Sequence, residues 1–97
     1  MRYEIILSPE AVEDLRRLDA HTRAAIRDAL EVHLRYEPTK VSRSRIKRLR
    51  ELLHPQYRLR VGDVRVFYDV VEGTVEVIAI LLKPMAEPWL REAGRPE

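Results

Sequence analysis

The sequence predicts an α+β domain in which an N-terminal strand and a helical hairpin pack on a small, mainly antiparallel four-stranded sheet. Three observations carry this expectation. Residues 2–7 alternate as a strand does and run straight into a helix start at Ser8-Pro9. Two helical stripes come next, separated by a short polar break. The second half then holds three apolar runs divided by Gly62-Asp63 and Glu72-Gly73, the punctuation of a β-meander. A chain of 97 residues has room for one core and therefore for one domain over residues 1–97.

Each element has a local reason. Ser8 is a good N-cap, Pro9 suits the first helical position, and Glu10 places an acid in the first turn. Val12, Leu15 and Leu18 mark one face of the first helix. Residues 19–22 form the break. A longer helix then runs to about Tyr36, burying Ala25, Ile26, Ala29, Leu30 and Leu34, until Pro38 stops it. So short a link predicts an antiparallel pair. Residues 39–53 are strongly basic, and Ile46, Leu49, Leu52 and Leu53 read equally as a helical turn or as anchors of a loop. The strands of the meander are residues 57–61, 64–71 and 74–82. The last ends in an unbroken apolar run, as a central strand buried on both faces does. A C-terminal segment completes the chain, with Pro84 at its start and Trp89 and Leu90 as apolar anchors.

Composition narrows the function classes. There is no cysteine, which excludes a disulfide framework and a thiolate zinc site and fits a reducing, cytoplasmic setting. His21, His33 and His54 have no metal-ligand spacing, so neither a metal nor another cofactor is expected. The longest apolar run, residues 77–82, is far too short for a membrane span, and the N-terminus does not read as a signal peptide. The net charge of +2 conceals an asymmetry. Residues 1–37 carry six basic and eight acidic side chains, residues 38–60 eight and one, and residues 61–97 four and seven. Positive charge is thus concentrated in the middle of the chain, either as a solvated face or as a nucleic-acid-facing one.

The hairpin of residues 57–69 is the most informative segment. Arg58 and Arg60 lie two apart and share a strand face, and Arg65 opens the next strand. A sheet face lined with guanidinium groups is a poor core and a good phosphate surface. The bland alternatives are carboxylate partners: surface pairs for Arg58 and Arg60, and Asp63 or Asp69 for Arg65. Tyr68 lies an odd number of residues from Arg65, so it faces the other way, into the core. Upstream, Arg43, Arg45, Lys47, Arg48 and Arg50 are a solvated face or candidates for binding nucleic-acid phosphate with salt-dependent affinity.

The order of elements and several local matches resemble the RelE/ParE toxins of type II toxin–antitoxin systems. The matches are Leu7-Ser8-Pro9-Glu10-Ala11, Leu15-Arg16-Arg17-Leu18, Leu49-Arg50-Glu51-Leu52 and the run from Tyr57 to Tyr68. The resemblance implies a bacterial toxin held inactive by a cognate antitoxin in a hetero-oligomer. It also implies one of two targets: mRNA in the ribosomal A site, cleaved by RelE-like members, or DNA gyrase, poisoned by ParE-like ones. The RelE-like branch fits better, because the C-terminal Leu82-Lys83-Pro84-Met85 lacks the ending associated with the gyrase branch. In that branch, the residues at the positions of Arg58, Arg60 and Arg65 face the scissile phosphate. Lys83 fits a further basic position after the last strand. Trp89 stands where an aromatic completes the site, which the best-known members fill with tyrosine, and Pro84 where they carry arginine. Those departures also keep open a non-catalytic co-repressor that only binds antitoxin.

The chemistry implied is transesterification by the RNA 2′-hydroxyl without a metal. It needs a base, charge for the phosphorane and an acid for the leaving oxygen. Arginine supplies charge and grip but holds its proton. Lysine gives its proton up more readily where cations crowd it, which makes Lys83 the candidate base.

Overall fold

A computed structural model describes all of residues 1–97. β1 (Glu4–Leu7) leads into α1 (Pro9–Arg16) and α2 (Ala20–Ala29), and α2 closes with a π-helical turn over Leu30–Leu34. Two short strands come next, β2 (Ile46–Arg48) and β3 (Leu52–His54). The meander is β4 (Tyr57–Val61), β5 (Val64–Val71) and β6 (Thr74–Leu82). The chain ends in α3 (Lys83–Ala93) and a two-residue strand, β7 (Arg95–Pro96).

Helix boundaries are set by capping. Ser8 Oγ accepts from Ala11 N–H at 3.0 Å and starts α1. Asp19 Oδ1 accepts from Thr22 N–H at 2.8 Å, so α2 begins at Ala20 and the expected break shrinks to the residues before Asp19. The hairpins form where glycine permits. Gly62 takes the first central turn position with φ of +56°, as a II′ turn requires.

The main sheet has the order β1-β6-β5-β4-β2. It has five strands, not the four that the sequence predicts. The fifth, β2, is an antiparallel edge strand on β4, with Ile46 opposite Leu59 and Lys47 opposite Arg58. Three residues with two cations carry no strand periodicity, and such charge is what an exposed edge tolerates. The expected C-terminal segment is a helix, and β3 pairs with β7 in a separate small sheet. β6 is an interior strand, parallel to β1 and antiparallel to β5. A bulge between Phe67 and Tyr68 leaves Ile78 without a register partner, and Ser8 Oγ donates to the Ile78 carbonyl at 3.0 Å.

Two hydrophobic clusters result, one on each face of the sheet. On one face, Leu59, Val66, Tyr68, Val75, Val77 and Ile80 meet Ala11, Leu15, Ile26, Ala29, Leu30 and Leu34 of the helices. Ala25, expected on the buried stripe, is exposed. On the other face, Phe67 and Ala79 meet Ala86 of α3, with Leu49, Leu81, Trp89 and Leu90 around them. Tyr68 is in the core as its parity requires: it is fully buried and donates to the Pro38 carbonyl at 2.6 Å. Burial holds its hydroxyl well above the ordinary tyrosine range.

Candidate functional site

Residues paired across a sheet share a face. Lys47 lies opposite Arg58, Arg58 opposite Phe67, Arg60 opposite Arg65, and Arg65 opposite Leu81. Lys47, Arg58, Arg60 and Arg65 therefore stand on the α3 side of the sheet, away from the helical hairpin. β4 can spend every second residue on charge because α3 covers only the β5–β6 half of that face.

The three arginines differ in depth. Arg60 is exposed, Arg58 half-buried, and Arg65 only 8% exposed. Arg65 Nη1 donates to the Gly62 carbonyl at 2.8 Å and the Val64 carbonyl at 3.1 Å, which fixes the guanidinium against the β4–β5 turn. No carboxylate ion-pairs with Arg58, Arg60, Arg65, Lys47 or Lys83; the five ion pairs of the molecule lie elsewhere. The Nε of Arg58 is buried and makes no hydrogen bond. Burial first, and then the charges of Arg65 and Arg60, push the Arg58 guanidinium below the usual arginine range. An anion bound at the guanidinium would relieve that repulsion.

Lys83 is the first residue of α3 and is exposed, and its N–H donates to the Asp63 carbonyl at 2.8 Å. It thus sits where β6 leaves the sheet, two residues beyond the Arg65 partner Leu81. Leu82 caps α3 without a side-chain hydrogen bond, and Pro84 stands in its first turn. Helix N-termini favour negative charge, which adds to the cations beside this one.

The remaining basic candidates disperse. Lys47 joins the arginine face. Arg48 pairs with Tyr57 on the opposite face, its guanidinium carbon 5.3 Å from the ring centroid. Its Nη1 donates to the Leu49 carbonyl at 2.9 Å and the Gln56 carbonyl at 2.8 Å, a structural duty. Arg43, Arg45 and Arg50 are exposed on the loops flanking β2, and Arg45 is near enough to His33 for its charge to act on that imidazole. Trp89 is half-buried and stacked on Phe67, centroids 5.0 Å apart at 26°, so it anchors α3 to the sheet.

One polar cluster was not visible in the sequence. The buried carboxylate of Asp69 accepts from Gln56 N–H at 2.7 Å and lies 2.5 Å from His54 Nδ1. Gln56 Oε1 in turn accepts from Val70 N–H at 2.9 Å. The cluster ties the β3–β4 connection to β5. Only separation along the chain hid it; an acid amid an apolar strand was the available signal.

Comparison with known proteins bears on the family and the fold. A family model described as the ParE toxin of type II toxin–antitoxin systems matches residues 5–85. The fold is similar to a chain of the RelBE2 toxin–antitoxin complex of Mycobacterium tuberculosis, with TM-score 0.73, 25% identity, and coverage of 84% of this chain and 99% of that one. It is similar to the YoeB dimer of Staphylococcus aureus, with TM-score 0.63, 22% identity and coverage of 81% and 94%. It is also similar to the RelE–RelB complex of Pyrococcus horikoshii, with TM-score 0.62, 20% identity and coverage of 86% and 97%. No protein of curated function matches the chain. With a family model spanning most of its length and the sheet, helices and cationic face in place, this chain belongs to the RelE/ParE family of type II toxin–antitoxin toxins.

Proposed function

We propose that the protein is an mRNA endonuclease that cuts messages on the ribosome, without a metal, and is restrained by a cognate antitoxin. The observation that carries this reading is the unpaired cationic face, with the orphaned Nε of Arg58 at its centre. A phosphodiester is the anion whose shape suits adjacent guanidinium forks. In the reaction, the 2′-hydroxyl loses its proton to Lys83 as its oxygen bonds to phosphorus. The P–O5′ bond breaks and the 5′ oxygen takes up a proton from water, leaving a 2′,3′-cyclic phosphate and a 5′-hydroxyl. Arg58 and Arg65 hold the charge that builds on the phosphorane. Arg60 steadies the strand. Ribosomal orientation of the mRNA supplies the alignment that so open a face lacks. The antitoxin partner is proposed from the RelE–RelB and RelBE2 complexes that share the fold.

The test is a purified translation reaction with the toxin added and mRNA 5′ ends mapped by primer extension. Cuts within codons, present only where ribosomes occupy the message and lost in Arg65→Ala, are expected. Lys83→Ala should lower the cleavage rate more than ribosome binding; equal losses would leave it only a phosphate anchor. Intact mRNA with soluble toxin overturns the reading. A gyrase supercoiling assay then takes its place, because the matching family model is named for ParE.

A further inference from the structure

Beside the cationic face runs a groove of 880 Å³ between the segment around β2 and α3. Its apolar floor includes Leu49, Leu52 and Leu90, and Arg50, Glu51, Glu87 and Arg91 line it as well. Lys47 lines it too, and Lys47 is the register partner of Arg58. The groove and the proposed phosphate site therefore meet one strand spacing apart, about 4.8 Å. That is less than the reach of a single nucleotide.

The two surfaces differ in kind. The arginine face offers donors only, which suits phosphate. The groove pairs donors with acceptors around an apolar floor, and two of its groups are carboxylates that repel phosphate. A nucleobase needs that combination: an apolar plane to lie on, guanidinium planes to stack against, and both donors and acceptors for its edge. From this we infer that the groove is a base-binding subsite, which takes an unstacked base of the single-stranded RNA next to the scissile phosphate. Arg91 and Arg50 stack on the base, and Glu87 and Glu51 accept from its amino group. The inference rests on the proposed RNA substrate and adds where sequence preference would arise: on α3 and the β2 segment, not among the catalytic arginines.

The experiment uses the full chain and short single-stranded RNA blocked against cleavage by 2′-O-methylation. Binding is monitored by fluorescence anisotropy and compared with the same strand lacking one base. Loss of the base in the groove is expected to weaken binding about tenfold, the scale of one stacked base. The double variant Glu87→Gln/Arg91→Ala, altered at exposed positions, should bring the intact strand down to the affinity of the abasic one. Binding of both strands with equal affinity, lost in Arg58→Met, would overturn the subsite and leave the phosphate site standing. No binding of any strand at low salt would overturn the subsite, while the RNA reading would stand or fall on the translation reaction. A groove variant that weakens antitoxin capture while preserving the base dependence would assign the groove to the protein partner and overturn the inference.

Discussion

Replacing Arg58 should make the protein more stable and inactive. Arg58 is half-buried beside two cations, with a buried Nε that bonds to nothing. Methionine keeps the apolar stem and removes the charge and the orphaned donor. An unsatisfied buried donor costs about 1–3 kcal/mol, and the low end applies where part of the guanidinium stays hydrated. Repulsion from Arg65 and Arg60 adds about 0.5 kcal/mol each after allowance for solvent screening. Part of this gain is lost to imperfect repacking, which leaves about 1–2 kcal/mol of stabilisation for Arg58→Met. For a domain of this size, that raises Tm by about 4–12 °C. The assay is thermal unfolding by circular dichroism at low and at about 1 M salt, where the Debye length falls to about 3 Å and the advantage should shrink. The variant should also lose mRNA cleavage. A Tm equal to or below that of the parent at low salt would refute the reasoning, since it would mean that Arg58 is held by favourable contacts.

Two further expectations are purely structural. Tyr68→Phe leaves the buried Pro38 carbonyl without its donor; it should cost about 1–2 kcal/mol in urea unfolding, and loss of cleavage in the folded variant would show that Tyr68 does more than brace the core. Burial and then the charge of Arg45 hold the His33 imidazole below its ordinary range. The unfolded chain thus takes up the proton first as pH falls below about 6.5, so stability present above that pH is lost beneath it. His33→Gln should flatten the decline between pH 7 and 5, and an unchanged pH profile would exclude His33 as its source.

Local chemistry decides the parts of the fold that were legible in the sequence. Ser8 and Pro9 placed α1, Gly62 placed a turn, and the parity of Tyr68 against Arg65 placed one in the core and the other on the opposite face. Parity gives a face but not a depth. Nothing in the spacing told that Arg65 would be buried against two carbonyls while Arg60 remained exposed. Non-local pairing was the other blind spot. β2 is a strand only because β4 offers it an edge. Arg48 and Lys47, neighbours in one basic run, part to opposite faces for the same reason. α3 was expected only as a C-terminal segment, and its helix is hard to foresee because it carries Pro84 and, within it, Pro88. Yet Pro84 occupies the first turn, where no N–H is needed, and the stack of Trp89 on Phe67 pins the later turns of the helix to the sheet.

The pairing of β1 with β6 also sets an order in time. Ser8 reaches a carbonyl 70 residues further along the chain, so β1 must wait, unpaired, until β6 has been made. Emerging amino end first, the growing polypeptide holds its helices before it has a sheet to lay them on. The arginines of β4 and β5 emerge earlier than β6, which supplies the Arg65 neighbour Leu81 and carries the chain to Lys83. The cationic face is therefore completed only after β6 has left the ribosome, so a chain halted before that strand carries the arginines of β4 and β5 without the neighbours that fix their surroundings.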